Sequence, residues 1–198
     1  MSEPARAIPP RERLEVRVGS ATNAFQPTPG ARRSLAAGPA QWLALGVVAF
    51  AAAFADQLTK SVVAGTLDLG DSVQVLGPLS IHHVRNTGIA FGLFSDATSV
   101  VIGLTSVAIV ALVVFFARSG RRHPLLPVAV GLVLGGSVSN LVDRLRLGHV
   151  TDFLDFDYWP AFNLADTFIV VGVGLLFLSF VAADRTSAAV GTSPLSRF

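Results

Sequence analysis

The stretch VVIGLTSVAIVALVVFFA, Val100 to Ala117, runs for eighteen residues without a charge or a proline, and it decides the solvent in which this chain folds. At about 1.5 Å rise per residue it is close to the roughly 30 Å of a bilayer's hydrocarbon core. It is apolar on every side, so it has no face suited to water. Backbone amides in hydrocarbon must pair within their own segment, which predicts a helix. Working outward, similar blocks lie at Trp42 to Ala55 (extending through Asp56 and Lys60 to about Ala64), at Pro124 to Val142 and at Leu164 to Ala183. The chain is 52% hydrophobic and 14% charged, against about 25% charged in soluble domains. Four membrane spans are predicted.

Arginines set the orientation. Arg32 and Arg33 precede the first span, Arg118, Arg121 and Arg122 fill the link between the second and third, and Arg185 follows the fourth. The positive-inside rule places all of them in the cytoplasm, and both termini with them. The links 65–99 and 143–163 then face outward. Residues 1–38, with Pro4, Pro9, Pro10, Pro29, Gly30 and six arginines, cannot bury enough apolar surface to offset ordering, so a disordered cytoplasmic tail is expected. Residues 185–198 read as a second cytoplasmic tail, which leaves 39–184 as the membrane domain. A competing reading takes the first apolar block as a cleaved signal peptide, because Ala-x-Ala patterns end at Ala53 and Ala55. Cleavage there would spoil the charge pattern, and intact mass decides it.

The chain has no cysteine, which excludes a disulfide framework, a thiolate zinc site and a cysteine nucleophile. Lys60 is the one lysine, and the arginines cluster outside the apolar blocks. They are topology signals rather than a nucleic-acid surface, so no nucleic-acid partner is expected. Within the first outer link, Val73, Val75, Leu76, Leu79, Ile81 and Val84 flank Gly77-Pro78, the pattern of a hairpin over Ser72 to Arg85. Val150 to Phe156 alternates and adds a candidate strand. Open strand edges are not tolerated in lipid, so these pieces belong at the surface over the helix ends. The expected fold class is an all-α membrane protein of four transmembrane helices with a small extracytoplasmic β-rich cap.

Polar residues converge at one depth. Asp56 and Lys60 close the first span, Asn140 and Asp143 close the third, Asp166 opens the fourth, and Asp152 lies in the link between the last two. Ionisable groups near hydrocarbon usually face a bundle interior, paired with something. The plain alternative is that each charge marks a helix end. The inner halves of the spans are almost free of such groups, which counts against a proton or cation conduit. No His-Glu-x-x-His run occurs; His82 and His83 sit on the expected hairpin and read as solvated surface, and His149 follows Gly148, so neither metal nor cofactor is expected. A Ser/Lys pair stays possible, using Lys60 with Ser61, Ser80, Ser137 or Ser139, although Lys60 lies one helical turn from Asp56 and reads as its ion-pair partner. Paired aspartates explain more. Two close carboxylates share a proton, so one draws a proton from water while the other donates to a carbonyl or a departing amine. Asp152 and Asp166 suit this, with Asn140, Arg144 and Asn163 to orient them.

Five segments together resemble lipoprotein signal peptidase (signal peptidase II), a membrane aspartyl peptidase family of bacteria. They are Asp56-Gln57-Leu58-Thr59-Lys60, Arg85-Asn86-Thr87-Gly88-Ile89-Ala90-Phe91-Gly92, the run Gly135 to Arg144 that contains Asn140 and Asp143, Gly148-His149-Val150-Thr151-Asp152-Phe153, and Phe162-Asn163-Leu164-Ala165-Asp166. The resemblance covers about Gln41 to Ala183. It implies a catalytic pair at Asp152 and Asp166, with Asn86, Asn140, Arg144 and Asn163 lining the site, and Asp56, Lys60, Gly88 and Asp143 supporting it. It further implies hydrolysis of prolipoprotein signal peptides before a diacylglyceryl-modified cysteine, contact with membrane lipids, inhibition by globomycin, and residence in the bacterial inner membrane with the site on the extracytoplasmic face. The piece from Asn86 to Phe91 is expected to close over substrate.

Overall fold

The structure, a computed structural model, describes residues 35–88 and 98–191, with side chains of the last helix given through Val181. Residues 1–34 and 192–198, which include most of the expected tails, and Ile89, Ala90 and Phe91 of the expected lid lie outside the described residues. In chain order the elements are α1 (Pro39–Thr66), β1 (Ser72–Leu76), β2 (Leu79–Asn86), α2 (Thr98–Ser119), α3 (Leu126–Leu147), β3 (Val150–Phe156), β4 (Trp159–Phe162) and α4 (Leu164–Gly191). Each of the four helices is long and apolar enough to cross a membrane. Helix α1 starts at Pro39, where a missing N–H costs nothing, and Gly38 N donates to Gln41 Oε1 at 3.1 Å. Helix α3 stops at Gly148, whose φ of 76° is strained for any residue with a Cβ.

Helix α3 is the hub. Most of its apolar residues are buried, while the other three helices leave most of theirs exposed and turn residues such as Phe50, Val107, Val170 and Phe177 outward. Lipid is as apolar as those side chains, so burial alone gives little drive to associate, and close backbone packing takes over. A Cβ on Gly135 would collide with the Ala49 carbonyl of α1, and one on Gly136 with the Ala165 carbonyl of α4. The glycines let α3 approach both neighbours at once. Near the opposite end, Phe116 is fully buried with Leu45, Leu126, Val130 and Leu134, and Trp42 meets it edge-on at 5.0 Å.

The four strands form one antiparallel sheet in the order β1-β2-β3-β4. The hairpin expected at Ser72 to Arg85 is β1–β2, turning at Gly77 with φ 54°. Strand β4 was not expected, because Pro160 interrupts it; a proline is tolerated there since β4 is an edge strand. The sheet hangs from the C-terminal ends of α1 and α3 and the N-terminal end of α4, so it brings loop residues to the polar end of the bundle.

Candidate active site

Asp166 is placed by the rule that starts a helix. Asn163 caps α4: its Oδ1 accepts from Asp166 N at 3.0 Å, while Asn163 N donates back to Asp166 Oδ2 at 3.3 Å. This reciprocal capping box satisfies one orphan amide of the first turn and fixes where the Asp166 carboxylate points. The next free amide, Ala165 N, donates to Asp56 Oδ1 of α1 at 2.8 Å. A fully buried carboxylate thus sits at the positive end of α4.

Asp152 arrives from the sheet. It pairs with Val84 across β2–β3 and is 1% exposed. Its Oδ2 accepts from Asn86 Nδ2 at 2.9 Å and its Oδ1 from Asn163 Nδ2 at 2.7 Å. Asn86 is itself oriented, because its Oδ1 accepts from Gly88 N at 3.0 Å. On the other side, Asn140 Nδ2 donates to Asp166 Oδ1 at 2.8 Å. Every oxygen of the two aspartates therefore receives an N–H. Burial pushes the Asp152 carboxyl up to about 6, the Asn86 hydrogen bond opposes this, the Asp166 charge adds to it, and Asn163 and Lys60 hold it back.

Both aspartates line one cavity of about 730 Å³, together with Asn86, Gly88, Asn140 and Arg144. Arg144 Nη2 donates to the Gly88 carbonyl at 2.8 Å, which ties the end of β2 to α3. Asn163 is buried behind the pair. Asp56, Lys60 and Asp143 lie beneath: Lys60 Nζ stands 2.6 Å from Asp56 and 2.8 Å from Asp143, all three buried. The residues nominated from sequence thus gather at one end of the bundle, six around the cavity and four in the layer that supports it.

Sequence reasoning gave no role to Gln57 or to the Ser139 hydroxyl as a support. Gln57 Nε2 donates to Asp143 Oδ1 at 2.7 Å and to Ser139 Oγ at 3.0 Å, and Ser139 Oγ donates to Asp56 Oδ2 at 2.7 Å. Helical spacing puts Gln57 near Lys60 and Ser139 near Asp143, but only the pairing of α1 with α3 shows that these side chains meet. The apolar wall of Trp159, Pro160, Ala161 and Phe162 was also unforeseen, since it depends on β4. His82 bonds Asp155 at 2.8 Å, about a third exposed and away from the cavity; His83 is buried and bonds the Leu67 carbonyl through Nδ1 at 2.9 Å.

These features define a multi-pass membrane protein with a carboxylate-lined cavity at one end of its helices. Comparison with known proteins narrows this class. The model of the family "Signal peptidase (SPase) II" matches residues 48–182. A lipoprotein signal peptidase of Symbiobacterium thermophilum is 40% identical over 149 residues, covering 72% of this chain and 97% of that protein. One from Pelotomaculum thermopropionicum is 43% identical over 122 residues, covering 61% and 80%. A solved structure described as a bacterial membrane enzyme, obtained by the in meso method, superposes with a TM-score of 0.66 at 29% identity, covering 77% of this chain and 92% of that one. The chain belongs to the signal peptidase II family, a family of membrane peptidases.

Proposed function

We propose that the chain removes signal peptides from diacylglyceryl-modified prolipoproteins, using Asp152 and Asp166 to activate one water molecule. The observation that carries this is the pair itself: two carboxylates in one cavity, each held by amide N–H donors, one of them titrating near 6. Such a pair shares a proton near neutral pH. The ionised member takes a proton from water as the oxygen attacks the scissile carbonyl. The protonated member donates to the carbonyl oxygen, and the proton then passes to the departing amine. Amide donors that face both carboxylates favour the ionised state, and burial opposes it; this balance suits a base that must also become an acid.

Position supports the substrate class. The arginine pattern puts the cavity end outside, at the outer interface of the inner membrane, with both termini in the cytoplasm. A diacylated precursor arrives sideways through lipid, and the apolar wall of Trp159, Phe162, Ile169, Val170 and Val171 gives the cavity a surface suited to acyl chains. A Ser/Lys peptidase is less well supported: the Lys60 ammonium is taken up by two carboxylates and Asn140, and Ser139 donates to Asp56. A conduit is disfavoured because, among the described residues, the buried charges lie at one end.

The test is cleavage of a purified diacylglyceryl-modified precursor by wild type, Asp152→Asn and Asp166→Asn, with and without globomycin. Wild type is expected to cleave and to be blocked by globomycin, and both folded variants are expected to be inactive. Near wild-type turnover by either variant refutes the aspartate pair.

A further inference from the structure

Lys60 does more than neutralise its neighbours. An ammonium has three N–H groups and no lone pair. Here it forms ion pairs with Asp56 Oδ2 at 2.6 Å and Asp143 Oδ2 at 2.8 Å and donates to Asn140 Oδ1 at 2.8 Å. The third contact has a geometric consequence. A carboxamide offers an oxygen on one side and an NH₂ on the other, and which way round it sits follows from its partners. Lys60 cannot accept, so the Asn140 oxygen must face it. Asn163 Nδ2 donates to that same oxygen at 3.2 Å. With its oxygen claimed twice, Asn140 turns its NH₂ to Asp166 Oδ1, 2.8 Å away.

We infer that Lys60 is a positioning residue for the hydrolysis: by holding the oxygen of Asn140 it presents an N–H to Asp166 and lets the aspartate pair carry its negative charge. This rests on the aspartate mechanism proposed above. The charged groups around the pair are Asp56 and Lys60 from α1, Asp143 and Arg144 from α3, Asp152 from β3 and Asp166 from α4, with the exposed Arg85 of β2 at the cavity's lining. Leaving aside the solvated Arg85, four carboxylates face two cations. With one proton shared by Asp152 and Asp166, the cluster holds a single net negative charge; without Lys60 the same state holds two. The pair then takes up its second proton more readily, and the acid limb of the rate profile moves up in pH.

A purely structural lysine would also be costly to remove, since it would strand Asp56 and Asp143. The double variant Lys60→Met with Asp143→Asn removes one charge of each sign, and Asp143→Asn alone is its control. In the lipidated-precursor assay the folded double variant is expected to lose about tenfold or more in kcat, as for one hydrogen bond to a charged group, with KM unchanged. Its acid limb is expected to lie about one pH unit above that of Asp143→Asn alone, which keeps the Lys60 charge. A folded double variant with the kcat and pH profile of the control overturns the inference. Asn140→Asp decides independently should the double variant not fold. It keeps an acceptor for Lys60 while replacing the N–H at Asp166 with an oxygen, and it is expected to show the same kcat loss and upward shift. Wild-type kinetics in Asn140→Asp overturn the inference just as surely. Failure of the mechanism itself would appear elsewhere, as turnover by Asp152→Asn or Asp166→Asn.

Discussion

Neutralising Asp152 should abolish cleavage and, above pH 6, relieve the fold. The residue is 1% exposed, and its carboxyl titrates near 6 instead of 3.8, chiefly because of burial. A carboxyl raised in the folded state binds its proton more tightly there than in the unfolded chain. Its contribution to stability is therefore complete below about pH 4 and is lost as pH rises through about 6. The separation of about two units, at 1.36 kcal/mol each, amounts to about 3 kcal/mol. Asp152→Asn has no such titration. Its amide also loses one good partner, because Asn86 and Asn163 both present N–H donors, but that penalty does not change with pH. The difference in stability between wild type and variant thus reads the titration that Asp152 brings to the aspartate pair. Thermal unfolding in detergent, followed by the fluorescence of Trp42 and Trp159, reads it between pH 4 and pH 7. Wild type should lose about 2 kcal/mol of this relative to the variant over that range, or roughly 4–8 °C in Tm for a chain of this size. A difference that stays flat from pH 4 to pH 7 would refute the claim that burial strains this carboxylate.

Gly136→Ala drives a Cβ into the Ala165 carbonyl at the start of α4, and should cost about 1–3 kcal/mol in thermal stability while displacing Asp166 enough to slow cleavage. Removing the cap with Asn163→Ala should lower stability by about 1 kcal/mol yet reduce kcat by about a hundredfold, because the same side chain also donates to Asp152 at 2.7 Å; equal losses in both would contradict its double role. The His82–Asp155 pair, about 30% exposed, lies away from the cavity, so His82→Ala should change stability by less than about 1 kcal/mol and leave precursor cleavage unaltered at every pH.

The helices were legible because the bilayer demands so much of them. A span must be long, apolar and self-satisfied in its hydrogen bonds, and Val100 to Ala117 can meet those demands in one way only. The β1–β2 hairpin was legible for a local reason as well, since Gly77-Pro78 separates two runs of alternating apolar residues. Strand β4 was not, because Pro160 argues against a strand unless one already knows that it lies at a sheet edge. Among the site residues, Asp152 and Asp166 stood out through chain position and motif. Gln57 did not, since an uncharged residue near a helix end becomes significant only when Ser139 and Asp143 are found across from it.

By itself, then, the sequence determined the solvent, the number of spans and the one depth at which polar groups collect. Those are properties of single segments in a field of apolar or aqueous surroundings. Only the tertiary structure decided which hydrogen goes to which oxygen. The orientation of Asn140 depends on Lys60 of α1 and Asp166 of α4, that of Asn86 on the turn at Gly88, and the burial of Asp152 on a sheet packed against three helix ends. Each is a relation between segments far apart in the chain, and the charge on a buried carboxylate is set by such relations rather than by its own place in the sequence.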